Sequence, residues 1–356
     1  MVTNTRRVFL AQAAAMLASP LAVAQQPAGG LFTHLKIEGP VEMPPEALKQ
    51  RVFDSPAPRA AQMGRWETRA PLPFPRSEMA WATSWNGRMH VIGGYAHQRV
   101  DRPHHHIYDA AKDSWIEAAP LPRGANHVAV VATDGVVYAI GGFLDQNRRP
   151  HGECFVYRIA ENRWDKIASL PEPNGAGSAV AVGGTIHLIG GALGSLERFS
   201  IPQHLRYDPK TDRWERRAPP ARARDHMGAV VIDGLVHVLG GRINTFATNV
   251  GDHDLYDPKT DSWGRRAPLP TPRSGHGAVL LRGRIFVMGG EETGKVFAQN
   301  ESYDPKADSW QQHAPMRTPR HGLGAATIGD WIYVVGGGPI VGGSVQSALN
   351  EAFTLA

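Results

Sequence analysis

Short apolar runs recur along the chain, and each is closed by two glycines. They end at Gly93-Gly94, Gly141-Gly142, Gly190-Gly191, Gly240-Gly241, Gly289-Gly290 and Gly336-Gly337, with first glycines 48, 49, 50, 49 and 47 residues apart. The unit from Met227 to Pro268 shows what each period predicts. Gly228-Ala229-Val230-Val231-Ile232 is a small apolar run suited to a crowded innermost strand. Asp233-Gly234 predicts a tight hairpin turn with positive φ. Leu235–Leu239 is the second strand, and Gly240-Gly241 lets backbone pass where a side chain would collide. Asp254-Leu255-Tyr256 is the third strand, and Ser262-Trp263 opens the outermost one. After each of the first five doublets a Tyr precedes a Trp by seven residues: Tyr108/Trp115, Tyr157/Trp164, Tyr207/Trp214, Tyr256/Trp263 and Tyr303/Trp310. These aromatics are expected to pack between neighbouring units as scaffold.

The sixth unit stops early. After Gly336-Gly337 the chain reaches Asn350-Glu351-Ala352-Phe353 and has no following Trp. An orphan Trp lies at the other end, where Arg65-Trp66-Glu67-Thr68-Arg69-Ala70-Pro71 matches Ser262-Trp263-Gly264-Arg265-Arg266-Ala267-Pro268. The N-terminal segment is therefore expected to supply the fourth strand of the last unit and close a ring. Six units in register resemble the kelch repeat, whose period is about 50 residues and whose unit is one four-stranded propeller blade. The resemblance covers roughly residues 62–355 and implies an all-β, six-bladed propeller at 62–356. The high content of Gly (39) and Pro (28) in 356 residues agrees with a turn-rich fold.

The first residues have a different character. Arg6-Arg7 precedes an apolar run from Val8 to Ala24 that ends in Ala22-Val23-Ala24. This resembles a bacterial twin-arginine export signal, which predicts removal of residues 1–24, a leader at 25–61 and a periplasmic or secreted protein. The run is too short and Ala-rich to anchor the chain as a membrane helix, so no stable membrane anchor is expected after its removal. Its loss lowers the formal net charge from +5 to about +3, too little to argue for nucleic acid. The lone Cys154 excludes an intrachain disulfide and a cysteine-based metal site.

Candidate chemistry lies in two loop sets that share one face, those entering each innermost strand and those after each doublet. Counted from the doublets, Arg224, Arg273 and Arg320 fall at one position, and Arg76 and Arg123 sit one or two residues further back. Blade 3 has Pro171-Glu172-Pro173-Asn174-Gly175 there and no arginine. His127, His226, His276 and His321 follow, the first two at equivalent positions. A ring of guanidinium forks suits a carboxylate ligand. Arginines repeated in register equally suit bonds to backbone carbonyls between blades, and the sequence leaves both readings open. The post-doublet loops add Arg242 and Asn244 in blade 4, and Glu291, Glu292 and Lys295 in blade 5. Glu291 and Glu292 are the acid/base candidates. In His104-His105-His106 consecutive side chains alternate faces, so at most two converge, and neither a metal nor another cofactor is expected.

Copper radical oxidases also use kelch propellers, but they need a Cys–Tyr cross-link, and Cys154 leads into a third strand instead. Exported bacterial kelch proteins such as the sialic acid mutarotase are similar in architecture. That resemblance implies a small anionic ligand, a sugar acid or other carboxylate, at the channel mouth, with isomerase activity as an extension. Eukaryotic kelch adaptors imply the alternative, a non-catalytic propeller that binds a protein or peptide partner.

Overall fold

The computed structural model describes residues 63–78, 82–96, 100–194 and 198–356. The expected export signal and leader lie outside the described residues. Six four-stranded antiparallel sheets account for the repeats. Blade 1 runs outward through Thr83–Trp85, Arg88–Ile92, His105–Asp109 and Ser114–Ala118. Blades 2 to 5 repeat this order, with innermost strands Ala129–Thr133, Ser178–Val182, Gly228–Ile232 and Gly277–Leu281. Blade 6 takes Gly324–Ile328, Trp331–Val335 and Asn350–Thr354 from the C-terminal end. Its outermost strand is Arg65–Thr68, with Arg65 opposite Thr354 and Thr68 opposite Glu351. Each innermost strand packs on the next, and that of blade 6 packs on that of blade 1. The result is an all-β six-bladed propeller.

Local sequence explains these elements. Asp233 and Gly234 have φ of 50° and 77°, the paired positive values of the tight turn whose twist matches a two-stranded ladder. Gly240 sits at φ +60°, and a Cβ there would lie 2.9 Å from Arg273 O in the next blade. Small residues of the innermost strands, including Ala132, Ala181, Ala229 and Ala326, leave an axial channel with a cavity of about 380 Å³.

The repeated aromatics form an inter-blade clamp. Trp263 Nε1 donates to Ala218 O of the preceding blade at 2.8 Å. Tyr256 OH donates to Asp261 Oδ1 at 2.7 Å, and the same oxygen accepts from Ala218 N at 3.0 Å. The same set recurs around the ring, for example as Trp214 to Ala168 O and Tyr207 to Asp212. Trp66 closes the circle by donating to Ala314 O at 2.8 Å. Among the described residues the only helix is the three-residue turn Ile159–Glu161, and no helix there is long and apolar enough to cross a membrane.

Candidate functional site

At the mouth of the channel each entry loop makes one left-handed residue. These are Glu78, His127, Ala176, His226, Gly275 and Gly322, with φ between 50° and 64°. Backbone hydrogen bonds of 2.8 to 3.1 Å link them in a belt, from His127 N to Glu78 O and on through Ala176, His226, Gly275 and Gly322. The residue before each belt position forms a bridge to the chain just after a doublet, as in Asp225 with Arg242, Ser274 with Glu291 and Asn126 with Phe143. The two loop sets therefore meet at the axis.

Their side chains enclose a cavity of about 410 Å³, lined by Glu78, His127, His226, Arg242 and Glu291. Tyr95, Gln146, Asn147, Phe246, Val341, Gly342 and Gly343 complete its wall. The charged groups are buried and interlocked. His127 Nε2 lies 2.9 Å from Glu78 Oε2. Arg242 donates from Nη1 to Glu291 Oε1 at 3.1 Å, from Nε to Asp225 Oδ1 at 3.0 Å and from Nη2 to His226 Nε2 at 3.0 Å. Gly342 N donates to Glu291 Oε2 at 3.0 Å. His321 Nε2 lies 2.8 Å from Ile340 O, an acceptor, so Nε2 carries a proton. Its Nδ1 faces Glu78 Oε1 at 3.3 Å and Glu291 Oε2 at 3.4 Å.

This arrangement sets the protonation states. Burial works against a charge on His321, but Glu291 and Glu78 outweigh it and raise its pKa. Burial alone would raise Glu78, yet His321 and His127 hold its carboxyl well below the usual carboxylate range. His226 is pushed well below the usual imidazole range by burial and by Arg242, against the pull of Asp225. The pocket thus keeps an ionised carboxylate, a guanidinium, a proton-rich imidazole and a neutral imidazole within one small volume.

The candidate residues divide sharply. His127, His226, Arg242 and Glu291 line the pocket, and His321 lies directly behind it. Four of the five entry-loop arginines are placed inside the blades. Arg76 donates to Gly93 O at 2.7 Å and to His104 O at 3.0 Å. Arg224 donates to Gly240 O at 2.7 Å and to the Asp254 carboxylate. Arg273 donates to Gly289 O at 2.8 Å and to Glu301 Oε2 at 2.5 Å. Arg320 donates to Glu351 Oε2 at 2.8 Å. All four are buried to within 1% of full enclosure, so they brace blades and do not ring the mouth. Arg76 is equivalent to the other three, not offset, because all four stand two residues before the belt. In blade 3 Asn174 takes the same place, donating to Gly190 O at 2.8 Å.

The remaining candidates lie off the axis. Arg123 binds Glu153 Oε2 at 2.7 Å and His151 Nδ1 at 2.8 Å on the flank of blade 2. His276 is buried, with its ring against Gly228 and Gly240 of blade 4. Asn244 exchanges hydrogen bonds with Ser200 of blade 3 at 2.9 and 2.7 Å. Glu292 pairs with Lys295 at 2.7 Å beside a separate hollow. Glu78 was missed, as were Tyr95 and Phe246. Glu78 carried a legible signal, since it follows Arg76 by two residues as His226 follows Arg224.

Repeat, ring and clamp together define a kelch-type β-propeller. The family model of the Attractin/LZTR1 beta-propeller matches residues 89–339, and the chain belongs to that family. A kelch repeat-containing protein of Arabidopsis thaliana is 38% identical over 76 residues, which are 20% of this chain. The matched stretch spans 18% of that relative's length.

Proposed function

We propose that the propeller binds a small, hydroxyl-rich ligand of the sugar class in the axial pocket and exchanges protons with it there. The carrying observation is the convergence of Glu78, His127, His226, Arg242 and Glu291 from four blades on one cavity of about 410 Å³. Such a volume suits a small molecule, and donors alternating with acceptors suit hydroxyl groups. With four arginines spent on the blades, an acidic sugar meets one guanidinium, Arg242, already shared by Asp225 and Glu291. The pocket therefore favours sugar hydroxyls over a carboxylate. Interconversion of anomers needs one base for the anomeric hydroxyl and one acid for the ring oxygen, without redox chemistry. Glu291 and Glu78 beside His127 supply groups of both kinds.

The test is thermal unfolding and calorimetry of the full chain against neutral sugars, uronic acids, sialic acid and acidic peptides. A sugar at 100 times its dissociation constant should stabilise the fold by about 2.7 kcal/mol. Glu291→Gln should abolish that shift, and anomer exchange followed by NMR should fall with it. No response to any sugar would overturn the reading. A second reading, a protein partner, draws on Leu193 and Phe199, which stand opposite each other and exposed on the post-doublet hairpin of blade 3. We further propose export through Arg6-Arg7 and cleavage after Ala24, which Arg6→Lys with Arg7→Lys should block in a fractionation assay.

A further inference from the structure

Two histidines of the axial pocket are held in the tautomer that a metal ion requires. Asn126 Nδ2 donates to Asp101 Oδ1 at 2.8 Å and to Phe143 O at 3.1 Å. Those two acceptors fix the amide so that its Oδ1 faces His127 Nδ1. His127 therefore carries a proton on Nδ1 and directs Nε2 at the Glu78 carboxylate, 2.9 Å away. His226 is set in the same way, since its Nδ1 lies 2.5 Å from Asp225 Oδ1, a carboxylate that only accepts. A second-sphere oxygen on Nδ1 is the usual device that orients an imidazole and raises the basicity of its other nitrogen toward a metal. The contact between His127 Nε2 and Glu78 Oε2 brings two acceptors together, so a proton or a cation must stand between them.

The three groups also converge for a reason of fold. Glu78, His127 and His226 occupy the same belt position in blades 1, 2 and 4, with φ of 53°, 50° and 55°. Their ligand atoms all lie within 4.8 Å of one another, and all three residues are buried. Ala176, Gly275 and Gly322 fill the other three belt positions and contribute no side chain beyond a methyl. One side of the cluster is thus left for water or a ligand.

We propose that Glu78, His127 and His226 bind a divalent first-row transition ion of the Zn(II) type, with open coordination positions facing the cavity. Two imidazoles and one carboxylate form the donor set of open, three-ligand sites, and they suit Zn, Fe or Mn better than Ca or Mg. Bonds of about 2.1 Å hold neighbouring ligand atoms about 3.0–3.4 Å apart, so His127 Nε2 and Glu78 Oε2, now 2.9 Å apart, open slightly to admit the ion, a change within reach of side-chain rotation. Arg242 Nη2 now donates to His226 Nε2 and gives up that bond when the ion enters. Its bonds to Asp225 and Glu291 remain. No sugar is needed for the ion to bind; with the ion in place Glu78 and His127 are ligands and Glu291 is left as the proton-exchanging group of the carbohydrate reading, so metal uptake is tested apart from it.

The experiment uses the untagged full chain, stripped with a chelator and titrated with Zn(II) and Co(II) in a calorimeter. One equivalent should bind, and the visible Co(II) spectrum should report imidazole and carboxylate ligands. Glu78→Gln, which keeps the side-chain shape, should weaken binding at least tenfold, and His127→Ala should do the same. His104, His106 and Glu117 form the other group of ligating type among the described residues. Glu117→Gln should leave the titration unchanged. Loss of binding in Glu117→Gln with retention in Glu78→Gln would overturn the assignment. So would no uptake at all, which would leave a proton between His127 and Glu78. Should His127→Ala fail to fold, the Glu78→Gln and Glu117→Gln pair decides alone.

Discussion

Arg273 has no route to water. Its donors meet Gly289 O, Thr271 O, Val287 O and the Glu301 carboxylate, and both members of the ion pair are within 1% of full burial. Removing the cation strands a buried carboxylate, which costs about 3–5 kcal/mol. Arg273→Met should therefore lower the urea midpoint by that equivalent while ligand affinity per folded molecule stays unchanged. A lost affinity with an unmoved midpoint would return Arg273 to the mouth. The sequence showed these arginines but left their task open, for a physical reason. Blades 1, 3, 4 and 5 make the same bond to the first glycine carbonyl of the doublet, so a residue repeated in register serves the repeat. A single ligand on the axis breaks the symmetry, so the residues that meet it vary from blade to blade. The belt position does vary, as Glu78, His127, Ala176, His226, Gly275 and Gly322. Only its two histidines were recognised, because counting from the glycine doublet shifted blade 1 by one residue and hid Glu78.

At the level of the blade, the same logic makes the fold readable. Each doublet, tight turn and Tyr–Trp pair answers a demand that recurs in every blade, and their period of about 50 residues is plain in the chain. The acid of the outer turn does more than shape the turn. It also joins neighbouring blades, since Asp261 Oδ1 accepts from Tyr256 OH and from Ala218 N. Asn162 plays that part in blade 2, accepting from Tyr157 OH and Ala119 N. A neutral amide thus does the work of a carboxylate, and hydrogen bonding rather than charge is what the turn supplies. Asp261→Asn should accordingly be close to neutral. Asp261→Ala should cost about 1–3 kcal/mol, as expected for one lost hydrogen bond and one orphaned backbone donor. Urea unfolding of the two variants separates the cases, and equal losses would show that charge is what matters.

Across the whole molecule, three blades place a pair of histidines where blades meet. His90 Nδ1 lies 2.9 Å from His105 Nε2, and the same spacing recurs in His187 with His204 and His237 with His253. His204 Nδ1 donates to Ala218 O and His253 Nδ1 to Ala267 O, so in these two pairs the partner ring must donate inward and all four rings are neutral. Burial lowers His90, His187 and His253 to about 3, lowers His204 and His237 to about 4, and holds His105 well below the usual value. In the unfolded chain these side chains titrate near 6.5. Above that pH neither state binds the protons and the stability is complete. As pH falls from about 6.5 toward 4, the unfolded chain takes up protons that the folded blades refuse, and stability falls by up to about 1.4 kcal/mol per pH unit for each histidine. Blade 5 fills the same two strand positions without histidine, although His313 packs on Phe286 with ring centroids 4.9 Å apart. Phe286 and Asn300 stand where blade 4 has His237 and His253, and Asn300 Nδ2 donates to Ala314 O at 3.1 Å as His253 donates to Ala267 O. Copying that solution into blade 4 as His237→Phe with His253→Asn should preserve stability at pH 7.5 and reduce its slope against pH below 6.5. Urea midpoints taken at several pH values read both numbers, and an unchanged slope would show that the blade 4 pair does not carry the acid sensitivity.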